Sequence, residues 1–262
     1  MSKWDSNQYL KFNSERTQPA IDLLMKVKAN NLNKIIDIGC GPGNSTAILK
    51  QYFSDADIMG VDSSVDMIEN AKKTYPDDKF MLLDVQKDID QLDNNYDLIF
   101  SNACLQWISN HEVFIPQLFE LLNVNGALAV QIPMNGNAPL YKVVRNIVGN
   151  SKWNIDFRKL ESNKTLEPDQ YFNILSKLTD TFDIWETTYY HRMKSHDDLI
   201  NWIKGTMLRP YLNQMDVSKQ MEFLSEVKEQ TKEVYPIQEN GEIIFHFRRF
   251  FFVAYKSGNK TI

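Results

Sequence analysis

Cysteine, excess positive charge and long apolar runs are scarce in this sequence, and each shortage excludes a class of protein. The two cysteines, Cys40 and Cys104, are too few for a disulfide framework, so we expect a reduced, cytoplasmic protein. The net charge of −5 argues against a nucleic-acid-binding surface. No stretch approaches the roughly 18 apolar residues of a membrane span, and the N-terminus has no apolar signal region.

Length and composition are those of an ordinary globular protein. The 262 residues are 43% hydrophobic and 24% charged, which is enough for one substantial core with an insertion. The sequence contains no spacing typical of a metal site and indicates no obligate protein partner. An anionic small-molecule substrate would need a local cluster of cations, because the net charge would not attract it.

Five apolar segments alternate with helical patterns in the first half of the chain. Near-continuous apolar strands separated by helices are typical of a parallel sheet covered on both faces. The sequence therefore predicts an α/β fold with a mostly parallel sheet and helices on both sides. The predicted strands lie at 34–37, 58–62, 79–85, 96–102 and 126–133.

A glycine-rich turn follows the first predicted strand. The segment Asp37-Ile38-Gly39-Cys40-Gly41-Pro42-Gly43 leads into a helix, so bare backbone and N–H groups would face a ligand. Its glycine spacing differs from the G-x-G-x-x-G of dinucleotide sites, since position 44 is Asn. We expect Asp37 at the mouth of the turn, where it would disfavour a pyrophosphate and favour an ammonium and a ribose. S-adenosylmethionine has both groups and no phosphate, whereas a turn that binds nothing is the simpler alternative.

Acidic or polar residues also end the next three predicted strands. Asp62 can accept hydrogen bonds from both ribose hydroxyls, or it can cap the following helix. Asp84 can meet an adenine amine, although an ordinary strand-end acid explains it nearly as well. Because ligands bind beyond the carboxyl ends of parallel strands, Asp62, Asp84 and Asn102 predict one cofactor site.

The second half of the chain changes in character. Strands are predicted at 184–193 and 243–255, and the last one can run antiparallel to the others. Helices are predicted at 138–148, 168–178, 196–206 and 218–234, and a loop at 149–167. We expect a helical gate at 1–30, a core at 31–194 and 239–262, and a helical lid at 195–238 inserted before the last strand.

The first-half motifs resemble a known family. The D-x-G-x-G-x-G turn, Asp62, the Asp84-Val85 pair and the long fourth strand resemble the Rossmann-like S-adenosylmethionine-dependent methyltransferases over about residues 30–135. A closer resemblance, to the bacterial trans-aconitate 2-methyltransferases, extends over nearly the whole chain; that family methylates a carboxylate of a small tricarboxylic acid. The segments that carry it lie at 4–16, 41–46, 102–107, 187–191, 208–210 and 238–241.

The resemblance, together with the strand-end pattern, implies residues for two ligands. Those implied for the cofactor are Arg16, Asp37, Gly39, Cys40, Gly41, Asp62, Ser63, Met67, Asp84, Val85 and Asn102. Those implied for the acid and for methyl transfer are Tyr9, Gln106, Trp107, Arg209 and Arg249.

Carboxylate methylation suits these residue types. A carboxylic acid with a pKa near 4 is ionised at neutral pH and needs no general base. Gln106 and Trp107 offer neutral N–H donors for a carboxylate oxygen, although Trp107 can equally be a core residue. Arginine binds carboxylates in bidentate pairs, and a structural salt bridge is the alternative role. The cationic candidates are Arg16, Arg145, Arg209, Arg248 and Arg249, with His191 and His246 as weaker ones.

The sequence thus predicts an S-adenosylmethionine-dependent O-methyltransferase that forms a methyl ester on a small polycarboxylic acid, with trans-aconitate as the leading substrate. Two alternatives stay open. One is a carboxyl methyltransferase for another acid, such as an acyl-thioester-linked or a fatty acid. The other is a non-catalytic protein that binds S-adenosylmethionine.

Overall fold

The computed structural model of the chain describes residues 13–28, 32–159 and 165–258. Its helices are α1 Asn13–Leu24, α2 Asn44–Tyr52, α3 Val65–Thr74, α4 His111–Glu120, α5 Pro139–Val148, α6 Pro168–Leu178, α7 His196–Lys204, α8 Arg209–Leu212 and α9 Val217–Val234. Its strands are β1 Lys34–Ile38, β2 Asp57–Asp62, β3 Lys79–Leu82, β4 Tyr96–Asn102, β5 Leu122–Pro133, β6 Phe182–Met193 and β7 Ile243–Tyr255.

The strands form one sheet in the order β3-β2-β1-β4-β5-β7-β6. Pairing is parallel from β3 to β5. β7 is antiparallel to β5, with the N–H of Asn125 donating to the carbonyl of Lys256 at 2.7 Å. The predicted mostly parallel sheet and its antiparallel last strand are therefore confirmed. The strand order reverses between β1 and β4, and such a switch point is where open α/β sheets bind ligands.

The central strands are buried on both faces. Ile35, Ile36 and Ile38 of β1, and Leu98 and Ile99 of β4, are each at most 1% exposed. Because helices cover both sides of a parallel sheet, apolar residues follow one another along a strand instead of alternating with polar ones. The apolar runs of the sequence therefore predict these strands correctly.

Some boundaries differ from the prediction. β3 ends at Leu82, so Asp84 and Val85 lie in the turn that follows, where the carbonyl of Asp84 accepts from the N–H of Lys87 at 2.9 Å. β5 begins at Leu122, earlier than predicted. The predicted loop at 149–167 contains 3-10 turns at Ser151–Trp153 and Phe157–Lys159.

The chain divides into two compact units. Of the described residues, the first unit takes those within 13–133, 165–186 and 250–258, and the second takes those within 134–159 and 187–249. The second unit has its own aromatic core, in which Trp153 packs edge-on against Phe223 with ring centroids 5.0 Å apart. The division into gate, core and lid remains a prediction. Within the described ranges, no helix combines the length and apolar character that a membrane crossing requires.

Candidate functional site

Asp37 lies at the switch point of the sheet, near the carboxyl end of β1. Its side chain has no exposed surface, and its Oδ2 accepts hydrogen bonds from Ser45 Oγ at 2.6 Å and Thr46 Oγ1 at 2.7 Å. Asp37 is therefore beneath the glycine turn and not at its mouth, because two hydroxyls in the first turn of α2 hold it inward. Sequence reasoning missed both hydroxyls, although a Ser-Thr pair that opens a helix beside a strand-end acid is a usable signal.

The other carboxylate oxygen of Asp37 has a different environment. Oδ1 is buried and has no hydrogen-bond partner among the described residues. Burial raises the pKa of Asp37 to about 6, against the lowering effect of Ser45 and Thr46, with a small further rise from Asp62. The group is thus largely ionised at neutral pH, and one of its oxygens has no donor within the described ranges.

Two glycines of the turn above Asp37 have different surroundings. A Cβ on Gly39, whose φ is +72°, would lie 2.2 Å from the Sγ of Cys104, so the turns after β1 and β4 approach each other closely. Gly41 has φ +56°, and a Cβ there would meet nothing within 4 Å. Open space beside a glycine backbone leaves room for a ligand to approach it.

Asp62 is oriented by backbone donors from both sides of the crevice. Its Oδ2 accepts from the N–H of Gly41 at 3.0 Å and its Oδ1 from the N–H of Ser64 at 2.8 Å. Ser64, and not Asp62, caps α3, since its Oγ accepts from the N–H of Met67 at 3.4 Å. A carboxylate has about four lone-pair sites, so Asp62 can accept further hydrogen bonds.

The remaining predicted site residues differ in their burial and contacts. Cys40, Met67 and Val85 are buried apolar residues, and Cys40 packs in a cluster with Ile68, Ala71 and Phe80. Ser63 is exposed. Asp84 forms an ion pair with Lys87 at 2.6 Å, so its assignment to adenine stays a prediction. Arg16 belongs to α1, and Tyr9 lies outside the described residues.

The segment after β4 carries the predicted methyl-transfer residues. Asn102 ends the strand, and its buried Oδ1 finds no donor in the described part of the chain. Gln106 is 7% exposed and donates one Nε2 hydrogen to the carbonyl of Ala103 at 2.7 Å. Trp107 is half-buried. All of these residues belong to the first unit, as do Asp37 and Asp62.

The arginines predicted for the acid, Arg209 and Arg249, lie in the second unit. Arg249 is 3% exposed, and its guanidinium lies 4.7 Å from the Phe247 ring and 5.8 Å from the Tyr189 ring. Arg209 is half-buried at the start of α8. Arg248 is half-buried and donates to the Sδ of Met134 at 3.8 Å. Of the two adjacent arginines on β7, Arg249 is the more deeply buried.

The cluster at the switch point fits S-adenosylmethionine. Asp37 Oδ1 and Asn102 Oδ1, on adjacent strands, are buried acceptors that receive no hydrogen bond from the described residues, and an ammonium would supply hydrogens there. Asp62 retains acceptor capacity for a diol, and the backbone at Gly41 is open. The second unit contains a buried guanidinium of a kind suited to an anion, Arg249.

Comparisons with known proteins agree with this interpretation. A sequence model described as "Methyltransferase domain" matches residues 36–130. A trans-aconitate 2-methyltransferase from Escherichia coli O157:H7 (strain EC4115) is 41% identical over 97% of this chain and 98% of its own length. One from Enterobacter sp. (strain 638) is 38% identical, with the same coverage. The crystal structure of the YcgJ protein from Bacillus subtilis, 14% identical, matches 92% of this chain and 100% of its own with a TM-score of 0.60, which shows a shared fold.

Two glycine substitutions distinguish the energetic cost of a steric clash from the cost of an unfavourable backbone conformation. We expect Gly39→Ala to lower the free energy of unfolding by about 2–5 kcal/mol, because its Cβ overlaps Cys104 and its φ is left-handed. Gly41→Ala, the matched control, has only the conformational cost of about 1–2 kcal/mol. Urea unfolding of the two variants measures the difference, and equal losses would show that the turns after β1 and β4 do not touch as described.

Proposed function

The chain belongs to the trans-aconitate 2-methyltransferase family, and we propose that it transfers the methyl group of S-adenosylmethionine to a carboxylate of trans-aconitate, forming a methyl ester. It is an S-adenosylmethionine-dependent methyltransferase. The observation that carries the substrate assignment is 41% identity over 97% of the chain to an enzyme named for that acid. The proposed partner is a small molecule, and the proposed location is the cytoplasm.

We assign the cofactor to the carboxyl ends of β1, β2 and β4. Asp37 and Asn102 would hold its ammonium, Asp62 its ribose, and the Gly41 backbone would allow close approach. When bound, the cofactor supplies an electrophilic methyl group on a sulfonium. A cationic ligand is better tolerated above a buried carboxylate than a pyrophosphate would be, because Asp37 is largely ionised at neutral pH.

We assign the acid to Gln106 and Trp107 of the first unit, and the family resemblance implies a role in binding carboxylates for Arg209 and Arg249 of the second unit. Gln106 commits one amide hydrogen to Ala103 and keeps the second for a carboxylate oxygen. A neutral donor orients the reacting carboxylate without neutralising it, whereas guanidinium groups suit the carboxylates that do not react. Because the nucleophile is already ionised, the chain needs to align it and exclude water, and no proton has to be removed.

A panel of acids tests the function. We expect the purified protein with S-adenosylmethionine to esterify trans-aconitate with a kcat/KM at least about tenfold above that for cis-aconitate, citrate or a fatty acid, because only one arrangement of carboxylates fits a preorganised site. Mass spectrometry detects the ester, and S-adenosylhomocysteine reports turnover. Preference for the fatty acid would support the alternative enzyme, and cofactor binding without any ester would support a non-catalytic protein.

Arg209 tests the proposed cationic pocket. We expect Arg209→Ala to raise KM for trans-aconitate at least about tenfold and to change KM for crotonate, a monocarboxylate, less than about threefold, because only the former has carboxylates left to bind. Arg158→Ala is the matched control, since Arg158 is an exposed arginine of the same unit, paired with Asp156. Equal effects of Arg209→Ala on both acids would contradict the assignment.

Asp37 makes cofactor affinity depend on pH. Its pKa is raised to about 6, so the carboxylate ionises as pH rises through 6, and only the ionised form attracts the ammonium. Affinity for S-adenosylhomocysteine should therefore fall as pH is lowered, by about fivefold between pH 7 and pH 5 if binding lowers the pKa by one unit. Calorimetry at several pH values measures this dependence. The same dependence in Asp37→Asn would show that another group is responsible.

A further inference from the structure

The turn that carries Gln106 and Trp107 is short. It is a single 3-10 turn that begins at Leu105 and ends at Trp107. The N–H of Trp107 donates to the carbonyl of Cys104 at 3.0 Å, and the N–H of Ile108 donates to that of Leu105 at 2.9 Å. A single 3-10 turn has poor hydrogen-bond geometry, so its orientation depends on what holds it from outside.

A hydrogen-bond chain reaches this turn from two other segments of the first unit. His111, the first residue of α4, has its Nε2 at 2.8 Å from the carbonyl of Leu105, which can only accept, so Nε2 carries the hydrogen. Nδ1 then accepts from the hydroxyl of Tyr171 at 2.7 Å, and that hydroxyl accepts from the N–H of Leu166 at 3.3 Å. Every donor in this series of three hydrogen bonds faces an acceptor when the imidazole is neutral.

The hydrogen-bond chain is shielded from water. His111 is 1% exposed and Tyr171 is fully buried, with its ring stacked on Phe250 at a centroid distance of 5.0 Å. Burial lowers the pKa of His111, which keeps the imidazole neutral at pH 7. Hydrogen bonds in such surroundings are strong, and a buried group left without its partner is costly.

We propose that His111 and Tyr171 are positioning residues for methyl transfer, which hold the carbonyl of Leu105 and thereby orient Gln106 and Trp107. Neither residue is assigned a contact with substrate or cofactor. The effect on catalysis rests on the proposed function, since it requires the turn to lie beside the acid. The ordering of the turn itself does not depend on which acid is methylated.

Two substitutions of His111 test its two hydrogen bonds separately. His111→Gln extends an amide to the place of Nε2 and can still donate to Leu105. His111→Asn is shorter and reaches only the place of Nδ1, so it can accept from Tyr171 but removes the side-chain donor to Leu105, whose carbonyl then keeps only the N–H of Ile108. Tyr171→Phe keeps the ring against Phe250 and removes the hydroxyl.

We expect His111→Asn to lower kcat for trans-aconitate at least about tenfold, Tyr171→Phe about threefold to tenfold, and His111→Gln less than about threefold. The dissociation constant for S-adenosylhomocysteine should stay within about twofold in all three variants, because the cofactor contacts lie on other elements. Hydrogen exchange at residues 103–110 should become at least about tenfold faster in His111→Asn and stay near wild type in His111→Gln.

Equal losses of kcat in His111→Asn and His111→Gln would overturn the positioning role, as would losses that follow thermal stability alone. Unchanged exchange at residues 103–110 in His111→Asn would also overturn it. If the wild-type protein esterifies no acid but exchange responds as expected, the proposed function fails and the ordering of the turn stands. If the acid is esterified and exchange does not respond, only the positioning role fails.

Discussion

The carboxylate of Asp37, buried at the switch point of a parallel sheet, is the constraint on which the site depends. Burying an ionised group is costly unless donors or cations compensate it. Ser45 and Thr46 satisfy Oδ2, and this ties the glycine turn and α2 to the end of β1. Oδ1 has no donor among the described residues. The half-satisfied carboxylate therefore gives the crevice a preference for cationic ligands before any ligand arrives.

Contacts between neighbouring segments fix the turns around that carboxylate. Gly39 lacks a side chain because Cys104 occupies the adjoining space, so the turns after β1 and β4 constrain each other. Asp62 bonds to the backbone of both Gly41 and Ser64 and so connects the glycine turn to the start of α3. In the turn after β4, His111 donates to the carbonyl of Leu105. The crevice is thus preorganised by short-range contacts from several elements, as expected where a reaction depends on alignment.

Much of this arrangement could be predicted from sequence, because it follows from local pattern. Buried parallel strands are apolar throughout, and the glycine spacing predicts the turn. Asp62 and Asn102 come directly at the ends of strands, so the order of the strands in the sheet brings them near each other. Hydrogen-bond satisfaction could not be predicted in the same way. Whether Asp37 points outward or inward depends on two hydroxyls, and the contact between His111 and Tyr171 joins residues 60 positions apart. The β3 boundary also escaped prediction, because an apolar run can continue into a buried turn.

A crystal structure with S-adenosylhomocysteine tests the role of the buried carboxylate most directly. We expect the ligand at the carboxyl ends of β1, β2 and β4, with its ammonium at about 2.7–3.2 Å from Asn102 Oδ1 or Asp37 Oδ1 and its ribose hydroxyls on Asp62. Ser45 and Thr46 should still bond to Asp37. A ligand whose ammonium lies away from both oxygens, or one bound elsewhere on the chain, would contradict the role assigned to Asp37.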